Sequence, residues 1–219
     1  MKLNKIVKTV IAAAALVFSA GFKTEDFSIT AFKNYEREFK SKSIGACSSS
    51  STKTYEDYRM ITDPQSRQYR HIHTHMTVDD TTGFLYDEDG FIGVALGYQF
   101  GEIGTRYYIV LDTGIILPVV KIDAKAAVDA TDGCSANLNA SVIEFVIDSE
   151  KAYEYFGGGN GLVNNGNYNN YSYFNGRILD FELVLDEKLE DGVTYDLDIE
   201  QPENTKDYFE EERVVQGGY

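Results

Sequence analysis

From Ile61 onward, apolar residues fall in short alternating runs separated by glycine- and aspartate-rich turns, the pattern of a strand-rich chain. Tyr69 to Val78 reads as a strand, followed by a turn at Asp79–Gly83 and another at Asp87–Gly90. Phe91–Leu96 is a short apolar strand, and Phe100–Thr105 a loop with two glycines. Arg106–Leu111 and Ile115–Ile122 are β-rich runs on either side of Asp112-Thr-Gly114, a hairpin signal. Pro118 lies within the second run, so that strand is expected to bend or to lie at an edge. Val142–Ile147 and Arg177–Leu185 are further strands. Ser149–Phe156 predicts a short helix, with Asp148 or Ser149 as its N-cap. Six to eight short strands with few helices predict an all-β barrel or sandwich.

The rest of the chain reads differently. Lys2, Lys5 and Lys8 precede the apolar run Val10–Phe18 and the small residues Ser19-Ala20-Gly21, so residues 1–21 have the form of a secretory signal peptide. The run is shorter than the ~20 residues of a membrane-spanning helix. Residues 22–60 are polar and mixed, include the tract Ser48–Ser51, and predict a flexible stem. The domain is placed at residues 61–185, with an acidic extension at 186–219. Within that extension, Val193, Tyr195, Leu197 and Ile199 alternate with polar residues and predict one edge strand with a charged outer face. Residues 123–141 form a long polar loop. In residues 157–176, 13 of 20 positions are Gly or Asn. A solvated loop is the plain reading there; the alternative is that Tyr168, Tyr171 and Tyr173 stack on sugar rings.

Charge narrows the partners. The 219 residues carry 35 acidic and 20 basic side chains, a net charge of -15. Nucleic acid and anionic membrane surfaces are poor partners for such a chain. Removal of residues 1–21 takes away three lysines and no acid, leaving 17 basic side chains against the same 35 acidic ones. Export would permit one disulfide between the two cysteines, Cys47 and Cys134; spacing alone cannot show that they meet, and free thiols are the plain reading. No phosphate loop, Gly-x-Gly-x-x-Gly, Gly-x-Ser-x-Gly or Cys-x-x-Cys is present, so nothing calls for a cofactor.

Several residues have chemical potential. Glu144 interrupts the apolar run Val142–Ile147 and shares a strand face with Val142 and Val146. A carboxyl so placed is expected to be partly dehydrated and fit for acid/base work, or else tied structurally to a lysine or backbone amide. Asp123 opens a loop directly after an apolar strand, and Asp129 and Asp132 follow; turn chemistry is the alternative for all three. His71, His73 and His75 would line one face of a strand. Neighbours on such a face are ~6.5–7 Å apart, so two could chelate an ion while three fit poorly, and no metal site is assigned. Asp112-Thr-Gly114 has no second copy, which argues against an aspartic-protease pair.

Residues 91–148 resemble the 3D (Asp-Asp-Asp) domain family, small double-psi β-barrels related to the barrel of MltA-type lytic transglycosylases. The resemblance is carried by Phe91-Ile-Gly-Val-Ala95, Ile103-Gly-Thr-Arg-Tyr-Tyr-Ile109, Ile122-Asp-Ala124 and Val142-Ile-Glu-Phe145. It covers about a third of the chain. Departures are Ala124-Lys125-Ala126 in place of Thr-Gly-Gly, and Glu144 in place of the strand Asp. The resemblance implies a six-stranded double-psi barrel with one or two short helices and extended termini. It also implies a secreted or cell-wall protein that cleaves peptidoglycan strands without water. Asp123 would then be the acid/base and Glu144 its tuning partner, or the reverse. Lys125, Thr77 and Asp132 would contact substrate. The competing reading is a noncatalytic surface or saccharide-binding module. The enzyme reading requires that Asp123 and Glu144 meet in one groove.

Overall fold

The computed structural model describes residues 37–156 and 167–189. Among them are nine strands and two α-helices, so the class is all-β with helical additions. The strands are β1 (Phe39–Gly45), β2 (Lys53–Asp57), β3 (Thr77–Val78), β4 (Leu85–Tyr86), β5 (Ile92–Leu96), β6 (Arg106–Leu111), β7 (Ile116–Ala124), β8 (Ile143–Ile147) and β9 (Ile178–Lys188). The helices are α1 (Arg67–His75) and α2 (Ser149–Phe156). The predicted signal segment, residues 157–166 of the Gly/Asn stretch and the predicted edge strand at 193–200 lie outside the described residues.

The sheet runs β1-β9-β6-β7-β5-β4-β3, and β8 branches from β5 and carries β2. Nine strands rather than six take part, and the sheet is not closed. Most pairs are antiparallel; β5–β7 and β2–β8 are parallel. The β6–β7 hairpin turns at Asp112-Thr-Gly114, where the Gly114 N–H donates to Leu111 O at 2.9 Å and Gly114 takes φ +81°. That left-handed conformation is why glycine stands there.

Pro118 is not at an edge, because β7 is flanked by β6 and β5. It faces Tyr108. Since Leu111 N–H bonds Ile115 O, the alternation of an antiparallel ladder makes Tyr108–Pro118 a pair without hydrogen bonds. The pairing of β7 with β5 begins one residue later, at Val119. The missing N–H therefore costs no bond with β6.

Two apolar clusters cover the faces of the sheet. On one, Phe39, Ile72 of α1, Phe91, Ala95, Tyr108, Val120, Ile122 and Val146 pack together. On the other, Phe145 meets Phe84 and Phe174 (centroids 5.2 Å from each) and Tyr168 (4.9 Å). Alternation along β8 thus sends Phe145 one way and Val146 the other, as its sequence predicts.

Three expectations change. The Tyr69–Val78 strand is instead helix α1 followed by the two-residue β3. Ser66 caps α1 by accepting from Tyr69 N, and the apolar residues Tyr69, Ile72 and Met76 sit at helical spacing. The stem expected at 22–60 supplies β1 and β2, both within the sheet. These strands look polar because their polar groups find partners: Glu182 takes Arg37 at 2.5 Å and Ser41 Oγ at 2.8 Å. Lys53, fully buried, donates to Gly176 O at 2.7 Å and Ser51 O at 3.1 Å. Finally, the Gly/Asn stretch is not simply solvated, since Tyr168 and Phe174 are buried in the aromatic cluster. Asn167 and Asn169 tie that stretch to β2 through Lys53 N (3.0 Å) and Lys53 Nζ (3.5 Å).

Cys47 and Cys134 form a disulfide across 87 residues of sequence. It joins the β1–β2 connection to the long loop between β7 and β8. The same loop presses on the end of β5, where a Cβ on Gly97 would overlap the Gly133 carbonyl.

Candidate functional site

The site is built on β5, β7, β8 and β2. Ala95 of β5 pairs with Asp123 of β7 on one side and with Glu144 of β8 on the other, and Glu144 pairs in turn with Thr54 of β2. Residues aligned across a sheet point to the same face. A register irregularity between Val94 and Ala95 makes Ile122 the extra residue of β7, so Ile122 packs in the apolar cluster and Asp123 joins the Ala95 row. Such bulges re-aim side chains. Sequence reasoning singled out Asp123 and Glu144, and the sheet brings them to one row. Two residues beyond Asp123, Lys125 reaches Glu144 Oε2 at 3.5 Å. Its backbone N–H donates to Leu96 O at 3.1 Å, which fixes the start of the loop against β5.

A third carboxylate completes the cluster. Glu56 lies two residues after Thr54 on β2, hence on the Glu144 face, and pairs with Val146. Its carboxyl adjoins those of Asp123 and Glu144. Burial, first, and then the neighbouring Asp123 and the charge of Glu144 push Glu56 up to about 9, against a smaller pull from Lys125. Its Oε1 is buried without a hydrogen-bond partner among the described residues. At neutral pH Glu56 therefore keeps its proton beside the carboxyl groups of Asp123 and Glu144. That combination can deliver and recover a proton within one site.

Glu56 was not singled out from the sequence. Lys53-Thr-Tyr-Glu-Asp57 has no apolar alternation to mark a strand, so its carboxyl looked like one of many surface acids.

Thr77 and Asp132 are not part of this cluster. Thr77 is exposed on β3, in a row with Tyr86 and Ile92. Ile92 is three residues from Ala95, so that row faces the opposite way. Asp132 is spent on its own turn: Oδ1 accepts from Cys134 N (2.9 Å) and Ser135 N (2.8 Å), and Oδ2 from Ser135 Oγ (2.7 Å). It shapes the loop around the disulfide.

The three histidines do not form a ladder, because their segment is helical. His73 stacks on Tyr69, with centroids 3.8 Å apart, and its Nδ1 lies 2.8 Å from Tyr69 O. His71 and His75, one turn apart, line a cavity of about 310 Å³ with Phe39, Asp87, Thr105 and Arg106. None of Glu56, Asp123 or Glu144 lines it. Among the described residues, no group of three or more His, Cys, Asp or Glu side chains is placed to hold a metal ion. No helix among them is long and apolar enough to cross a membrane.

Comparison of the chain with family models, with curated proteins and with solved structures finds no match.

Proposed function

We propose that this chain is an exported, cell-wall-associated protein whose Glu56–Asp123–Glu144 cluster performs acid/base cleavage of peptidoglycan strands, in the manner of a lytic transglycosylase. The observation that carries the reading is the convergence of Glu56, Asp123 and Glu144 on one face of the sheet, beside the Lys125–Glu144 pair. In this reading the proton held on Glu56 passes through the adjoining Asp123 to the glycosidic oxygen as the bond to the anomeric carbon breaks. The sugar's own 6-hydroxyl oxygen attacks that carbon, and its proton returns to the carboxylate. Water is not consumed, and an intramolecular nucleophile replaces the second attacking group of ordinary glycosidases. Glu56 keeps the proton available at neutral pH. Glu144 and Lys125 set the charge around Asp123, and Lys125 orients an N-acetyl carbonyl.

What the open nine-stranded sheet shares with the double-psi barrel of the resemblance is a pair of parallel pairings within a mostly antiparallel sheet, and the proposal extends to kinship with that barrel on this ground alone. Export is supported by the Cys47–Cys134 disulfide, since such bonds persist in oxidising compartments.

The test uses the chain from residue 22 with purified peptidoglycan. Anhydro-muropeptides are expected, and Asp123→Asn should lower their formation by at least about 100-fold. Products with free reducing ends would replace the proposal with hydrolysis. Glycan binding without any product would leave the noncatalytic saccharide-binding reading in its place.

A further inference from the structure

The cavity beside α1 is chemically separate from the carboxylate cluster. Its walls come from α1, the start of β1, the loop between β4 and β5, the start of β6 with the loop before it, β7 and β9. His71 and His75 are spaced four residues apart on the helix, so both rings project to one side. Their centroids are 4.9 Å apart and the planes are tilted by 40°. Nε2 of His71 is buried and has no hydrogen-bond partner among the described residues. With metal–nitrogen bonds of about 2.0–2.1 Å, an ion shared by two imidazoles lies about 3.2 Å from each centroid. Centroids 4.9 Å apart then subtend about 100° at the ion, near the angle a tetrahedral or octahedral centre requires.

We propose that His71 and His75 form a two-imidazole chelate for a divalent first-row transition cation, with zinc as the reference ion, open to this cavity. The remaining coordination positions face the cavity and are filled by water or by an incoming ligand. Asp87 does not serve as a ligand: Oδ1 accepts from Asp89 N (3.0 Å) and Phe91 N (2.9 Å), and Oδ2 from Arg106 Nε (2.8 Å). With Arg106 held by Asp87 and Asp89, and Glu88 also at the cavity, the wall carries no net positive charge against a cation. His73, turned onto Tyr69, takes no part.

Zinc chloride titrated calorimetrically into the chain from residue 22, disulfide intact, at pH 7.5 is the experiment. One ion per chain is expected, in the micromolar range. His75→Gln, at an exposed position, should weaken binding by more than about tenfold. His71→Gln should do the same, and His73→Gln should leave binding unchanged. In parallel, the imidazole NMR signals of His71 and His75, and not those of His73, should shift with zinc. This second measurement needs no variant to fold. Absence of saturable binding, equal affinity of wild type and His75→Gln, or an equal loss in His73→Gln would each overturn the proposal. Activity on peptidoglycan is not read, so failure here leaves the carboxylate reading standing.

Discussion

Glu56 carries its proton at a pH where an exposed glutamate has lost it, and this has a cost that can be measured. In the unfolded chain it ionises in the usual range near 4.3. In the folded protein that point is pushed up to about 9. Between the two, the folded state binds the extra proton, so the contribution of Glu56 to stability is full at low pH and falls as pH rises toward the folded value. Glu56→Gln removes that loss. The variant should exceed wild type by about 1–3 kcal/mol at pH 8, with the gap closing toward pH 5, in urea unfolding at both pH values. Under the proposed chemistry the same substitution should slow glycan cleavage, a trade of stability against chemistry. Tyr168 offers a second test at this scale. Its ring is fully buried, while its hydroxyl has no partner among the described residues. Tyr168→Phe should therefore raise stability by about 1 kcal/mol, and Tyr168→Ala should lower it by about 3–5 kcal/mol in the same measurement.

Among the elements, those with strong apolar patterning could be read from sequence. β6, β7 and β8 appear where alternation and the Asp-Thr-Gly turn put them, because each buries both of its faces or one whole face. Asp123 and Glu144 were legible for the same reason: each is an acid at the end of, or inside, an apolar run. α1 mimics a strand in sequence because His71, His73 and His75 recur at every second residue with β-branched Ile72 and Thr74 between them, and the deciding signal is the Ser66 cap. β1 and β2 were invisible because their ion pairs and hydrogen bonds depend on partners more than eighty residues away. Glu56 was hidden along with β2. The element that staples these pieces is the disulfide-bearing loop. Replacing Cys47 and Cys134 together with Ser should cost about 2–5 kcal/mol, seen as a lower melting temperature.

At the scale of the whole molecule, the boundary of the domain moves. A fragment of residues 61–185 lacks β1 and β2, leaving β8 and β9 without a neighbour on one side each and the cluster without Glu56. It should give no cooperative thermal transition by circular dichroism, whereas the chain from residue 22 should melt in a single step. The acidic balance does not alter this, because the ion pairs that matter, such as Arg37–Glu182 and Arg106–Asp87, are in direct contact and largely shielded from solvent. One feature of the ladder bears on when the protein can fold at all. Phe39 finds Lys188, and Lys53 finds Ile143, so the strands synthesised first wait for those synthesised last. Pairings this distant form slowly, on the order of milliseconds to seconds. The outer pairs of the ladder therefore cannot lock until residues 178–188 have been made, so the order of synthesis sets the last step of assembly.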